Sequence, residues 1–134
     1  MGFAIVACDP RTSQVGVAVA SRSLVAGSLS PHLRAGVGGV VALGLVAPRS
    51  VGRGVECLAS GLSPSASIGR LIAGSPSGDR CQVGMVDLSG RSALWTGGSC
   101  ADWAGGRRAE GIVVLGCHLA GSAVVDTMID AWAC

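Results

Sequence analysis

Phe3-Ala4-Ile5-Val6-Ala7-Cys8-Asp9 is an unbroken apolar run closed by an Asp-Pro step, and Val15-Gly16-Val17-Ala18-Val19-Ala20-Ser21 follows it after a short polar gap. A continuous apolar run of this length, bounded by turn residues, reads as a strand buried on both faces. Pro10-Arg11-Thr12-Ser13-Gln14 supplies the turn, so the two runs predict an antiparallel hairpin at the start of the chain.

Working outward from that hairpin, Arg22 to Arg34 reads as a polar, serine-rich connection. Gly36 to Val46 reads as a further strand that is apolar on both faces, as in a sheet covered by helices. The glycines of Ala35-Gly36-Val37-Gly38-Gly39-Val40 mark a bulge or a close backbone approach. Pro48 to Gly54 predicts a turn leading into a helix, in which Val55, Leu58, Ala59 and Leu62 recur at helical spacing and Gly61 marks the end. Ser63-Pro64 then offers an N-cap and a first-turn proline for a second helix, with Ile68, Leu71 and Ile72 on its apolar face. Ser75 to Asp79 reads as a loop. Cys81 to Asp87 and Ala93 to Thr96 predict a second hairpin around Leu88-Ser89-Gly90-Arg91. Ile112 to Leu119 reads as another strand, entered through a Trp103-Ala104-Gly105-Gly106 loop. Val124, Val125, Met128 and Trp132 form one stripe of a terminal helix beginning near Gly121, which suits core or interface. This order predicts one α/β (α+β) domain over residues 1–134, a sheet layered against helices.

Composition narrows the function. Apolar residues are 49% of the 134 and charged residues 13%, a globular profile. All ten basic residues are Arg, so Schiff-base catalysis and a phosphate-loop lysine are excluded. A net charge of +2 without a basic run gives no footprint for nucleic acid. Asp9 and Pro10 interrupt any signal-like apolar stretch, and the run from Ala35 to Pro48 is too short to span a bilayer. The expectation is a cytoplasmic protein that engages neither membrane nor nucleic acid. Six cysteines show no CxxC spacing and no His partner at ligand spacing, so they read mostly as small buried hydrophobes; no metal and no organic cofactor is implied.

Seven stretches taken in order resemble a bacterial family with an Ntn-hydrolase-like fold, domain of unknown function 1028: FAIVACDP (3–10), VGVAVASRS (15–23), LRAGVGGVVA (33–42), VECLASGLSPSASIGRLIAG (55–74), QVGMVDLSGR (82–91), TGGSCADWAGG (96–106) and VLGCHLAGSAVVDTMIDAWA (114–133). The resemblance implies a layered αββα sandwich. Related Ntn hydrolases cleave amide bonds with an N-terminal Ser, Thr or Cys whose own amine is the base. This chain departs from that pattern. The hydroxyl residue of the family's opening is Ala4, and loss of Met1 would expose Gly2; neither carries a nucleophile. The family's Arg before Asp-Pro is Cys8, its Gln in the third strand is Leu43, its Asn before proline is Ala47, its His after Trp-Ala-Gly is Gly106, and its Asn near the end of the last strand is Cys117. These changes are expected along one cleft. The family pattern also runs on past a helix like Gly121 to Ala133, so the fold is expected to be shortened at the C-terminus, with another copy of the chain covering what is exposed.

The residues singled out for chemistry are few. Cys117-His118 ends a strand, and successive strand residues point to opposite faces, so a Cys117 nucleophile needs a base such as His32 from across the cleft and a cationic neighbour to lower its pKa. A buried structural thiol is the competing reading of Cys117, and a hydrogen-bonded surface or interface imidazole that of His118. His32, in the Ser30-Pro31-His32-Leu33-Arg34 loop, is a candidate acid or base or else a solvated histidine. Ser21 and Arg22 end the second strand, where Arg22 is a candidate carboxylate holder. Cys100 and Trp103 are candidate substrate contacts that serve equally as packing groups. Asp9 reads as a turn carboxylate.

Together these predict a small enzyme adapted from an amide-cleaving scaffold. It would act on an amide, imide or related C–N bond of a small metabolite or peptide-like intermediate, as a hydrolase, cyclase or lyase. Cys117, His32 and His118 would be catalytic, and Ser21, Arg22, Cys100 and Trp103 would bind substrate. The alternative is a catalytically degenerate binding or assembly protein that works as a homo-oligomer.

Overall fold

The opening hairpin forms as expected: β1 (Gly2–Asp9) pairs antiparallel with β2 (Gln14–Ser21), with Asp9 opposite Gln14 and Gly2 opposite Ser21. Asp9 accepts the Arg11 backbone N–H at 2.9 Å across the turn, and that bond holds its carboxyl below the usual range. The chain is seen here as a computed structural model describing residues 2–44, 48–100 and 102–134; the carboxyl end of the expected third strand and Ala47 lie outside those residues.

The stretch from Arg22 to Arg34 is not a bare connection. It holds a one-turn helix α1 (Ala26–Leu29) and an edge strand β3 (Pro31–Arg34), which places His32 in a strand rather than a loop. β4 (Gly38–Gly44) follows. Helix α2 spans Pro48–Ala59, so the turn expected over Pro48 to Gly54 is the helix's own first half, with Pro48 at its start where the missing N–H costs nothing. Helix α3 (Pro64–Ala73) is capped as read, Ser63 Oγ accepting the Ala66 N–H at 3.2 Å.

A short 3₁₀ turn at Gly78–Arg80 leads into the second hairpin, β5 (Cys81–Asp87) with β6 (Ser92–Thr96). Asp87 organises its turn, accepting from the backbone N–H groups of Ser89 and Arg91 and from the Arg91 guanidinium at 2.6 Å. The expected Trp103–Gly106 loop is instead the start of β7 (Trp103–Ala109), which pairs with β8 (Ile112–Leu119). α4 (Ala123–Ala133) ends the chain.

Among the described residues the strands make two antiparallel four-stranded sheets, ordered β2-β1-β8-β7 and β3-β4-β5-β6. Three apolar clusters define the layers. Ala4, Val6, Val41, Leu43, Val113, Leu115 and Cys117 pack between the sheets. Val40, Met85, Val51, Leu58 and Ile68 pack between the second sheet and α2–α3. Ala7, Ile112, Val114 and Val125 pack between the first sheet and α4. The result is helix–sheet–sheet–helix layering, a mixed α+β sandwich of the kind the family resemblance implies. Of the terminal stripe, Val125 is buried and Met128 packs against it, while Trp132 stays 54% exposed. No helix among the described residues is long and apolar enough to cross a membrane.

Burial sets a pH limit on this core. Cys81 is 2% exposed, and desolvation pushes its thiol from 9.0 up to about 11, with Cys8, Cys100 and Cys117 moved the same way by the same cause. The folded value lies above the unfolded one, so the contribution of Cys81 is complete below pH 9 and is lost as pH rises through about 11. Urea midpoints should therefore fall above pH 9, by the equivalent of about 3 kcal/mol at Cys81, and Cys81→Ala should flatten that slope.

Candidate active site

At one end of the space between the sheets lies a cavity of about 290 Å³. One side of its lining comes from strand ends: Gly2 of β1, Ser21 of β2, Leu43 and Gly44 of β4, and Cys117 and His118 of β8. Its wall comes from the β2–β3 crossover, with Ser23, Leu24, Leu29 and Ser30, and Val51 of α2 closes it. The lining mixes apolar side chains with three serines, the Cys117 thiol and the His118 imidazole, which suits a small polar molecule.

A bulge brings Cys117 and His118 to the same cavity. Trp103 pairs with Leu119 and Ala104 with Cys117, so His118 is an extra residue in β8 with no partner in β7. It adopts φ 57°, a left-handed conformation uncommon outside glycine. Strict alternation would leave Cys117 inside and His118 on the outer face; the bulge re-aims the imidazole to the rim. There its Nδ1 donates to Asp102 Oδ2 at 3.0 Å, since a carboxylate only accepts. Asp102 is also left-handed, at φ 54°. Two non-glycine residues with positive φ meeting in one hydrogen bond are a local cost held by the surrounding pairing, a feature concentrated at functional sites. The pair is solvent-exposed, 43% for His118 and 73% for Asp102, so its worth is orientation rather than stability. In the neutral imidazole, a proton on Nδ1 leaves Nε2 with its lone pair.

Cys117 is buried, and desolvation raises its thiol. It stands at the rim as a neutral S–H. Ser21 Oγ accepts the Ser23 N–H at 3.1 Å, fixing the start of the crossover. Gly2 lies between Ser21 and Cys117 in register, and a Cβ there would approach the Ala20 carbonyl at 3.1 Å.

The remaining candidates lie elsewhere. The His32 ring packs against α2 at Gly52 and does not line the cavity; its Nδ1 is buried and has no partner among the described residues. Arg22 is exposed beside Ser21 but off the lining. Cys100 Sγ reaches the Cys81 carbonyl at 3.6 Å. Trp103 lies over Gly105 and packs in the layer beneath α4. The substituted family positions do not share one cleft. Leu43 and Cys117 line the cavity, but Ala4 is in the inter-sheet core, Cys8 donates its thiol to the Asp87 carbonyl, and Gly106 faces Leu94 and the Val114 carbonyl. Asp102 is the partner of His118 that sequence reasoning did not single out, because the two are sixteen residues apart and meet across a bulge. Among the described residues no set of three or more His, Cys, Asp or Glu is arranged to hold a metal ion.

The fold is similar to the crystal structure of protein SPO2555 from Silicibacter pomeroyi, itself described by the DUF1028 family model. The TM-score is 0.92 and the identity 23%, over 98% of this chain and 61% of that one. This chain thus spans about three fifths of that protein's chain, and at this identity the likeness is one of fold. No curated protein matches. The family model covers residues 2–134, and the chain belongs to the family of unknown function DUF1028.

Proposed function

We propose that the cavity is the active site of an enzyme that opens an amide, imide or related C–N bond of a small, uncharged metabolite, with His118 as general base. What carries this reading is the bulged His118, which lines the cavity while its Nδ1 is held by Asp102. Apart from His118, the named lining residues are neutral, which favours an uncharged substrate over a carboxylate. In the step, a water oxygen attacks the substrate carbonyl carbon while Nε2 takes the water proton. The tetrahedral intermediate collapses by breaking the C–N bond, and the imidazolium returns the proton to the departing nitrogen. Asp102 positions the ring; Ser21 and Cys117 contact substrate. The raised thiol of Cys117 favours water over sulfur as nucleophile. A cytoplasmic setting and work as a homo-oligomer belong to the same proposal.

A second reading keeps the cavity for binding alone, favoured by the glycine and leucine at Gly2 and Leu43. A panel of small neutral amides and cyclic imides, followed by ammonia release and by loss of imide absorbance, separates the two. Turnover by the wild type that falls by about 10²-fold or more in His118→Ala supports the enzyme. Cys117→Ser should lower kcat/KM by no more than about tenfold, and a loss matching His118→Ala would put the thiol in the attacking role. Saturable binding without turnover of any compound would leave the binding reading.

A further inference from the structure

We infer that the chain pairs with a second copy of itself through the β2 edge, and that the partner's β1–β2 turn covers the exposed wall of the cavity. The inference rests on the homo-oligomer reading and says which surface makes it. β2 and β3 are the edge strands on one side of the sandwich. The Cys8 N–H donates to the Gly111 carbonyl at 2.7 Å, so the main-chain groups of Cys8 face β8. Alternation along β1 then turns Phe3, Ile5 and Ala7 toward Ala20, Ala18 and Gly16, leaving the N–H and C=O groups of Val15, Val17 and Val19 at the open edge. Gln14 to Ser21 carries no charge, no proline and no bulge, which are the devices that keep edges apart.

The same side is apolar. Among the described residues six large hydrophobic side chains are exposed, and four of them, Leu24, Val25, Leu29 and Leu33, lie on or beside the β2–β3 crossover. Val25 is 67% exposed and held at φ 55°, a costly conformation for a β-branched residue that solvent contact does not repay. A second copy fits this edge better than an unrelated strand. Antiparallel pairing with Val17 on the two-fold axis sets Val15 opposite Val19 of the other copy, keeping all the valines on one face and every outward group paired. That register puts Ser21 opposite the other copy's Ser13, so its hairpin turn lies against Leu24 and Val25. It also holds the two Arg22 side chains roughly 30 Å apart, free of mutual repulsion.

Light scattering during gel filtration tests the inference. The wild type should run at 26.4 kDa, twice the 13.2 kDa chain, at micromolar concentration. Val17→Pro removes an outward N–H without touching the bonds to β1, and Val25→Asp puts a charge on an exposed residue whose left-handed backbone suits aspartate better. Each should run at 13.2 kDa; if Val17→Pro fails to fold, Val25→Asp decides. A monomeric wild type would overturn the oligomer reading and the interface with it. A wild-type dimer that persists in a folded variant would overturn the interface alone.

Discussion

His118→Ala should lower kcat/KM by about 10²–10⁴ on any amide or imide the wild type turns over, with thermal stability nearly unchanged. That loss corresponds to roughly 3–5 kcal/mol of transition-state stabilisation, the share of a positioned general base. Stability should hold because the imidazole is 43% exposed and its bond to Asp102 is screened by water. Asp102→Asn should cost less, on the order of tenfold, because the carboxamide still occupies the place but no longer dictates which ring nitrogen carries the proton. Steady-state rates on a single compound from the panel, with melting curves for each variant, check both. Rates for His118→Ala equal to wild type would remove the base from the mechanism.

Gly106→Ala should destabilise the fold by about 3 kcal/mol, and by roughly 10 °C in melting temperature. A Cβ at this position in β7 runs into the Val114 carbonyl oxygen of the neighbouring strand and comes within 2.9 Å of Leu94 and 3.1 Å of the Leu115 Cα. Backbone cannot yield there without opening the β7–β8 pairing that sets the bulge. Gly69→Ala is the matched control. It sits in α3 with nothing within 4 Å of its Cβ position, so the change should stabilise by about 0.5–1 kcal/mol. Urea unfolding of both variants measures the contrast. Position 106 is where the family resemblance places a histidine. The close approach of β8 leaves no room for a larger side chain at this position in this chain's geometry.

Local signals were legible and long-range ones were not. Both hairpins follow from apolar runs flanking short turns, and α3 from Ser63-Pro64 before a periodic face. β3 was missed because four residues at a sheet edge, next to serines, carry no pattern of their own. β7 was missed because Trp-Ala-Gly-Gly-Arg-Arg-Ala has little strand preference; pairing with β8 imposes its extended form. The site was half legible. Cys117, His118 and Ser21 stand at strand ends, as read, and these ends meet at one cavity. The rule that neighbours in a strand face opposite ways hid the bulge, and with it the meeting of His118 and Asp102. His32 was drawn toward the site by chemistry alone, while its register against Val40 holds it beside α2.

The imidazole ¹⁵N shifts of His118, recorded where the ring is neutral, give the most direct test. Nδ1 should resonate as the protonated nitrogen, bonded to Asp102, and Nε2 as the unprotonated one. A ring protonated at Nε2 instead would leave no base at the cavity rim and would contradict the proposed chemistry.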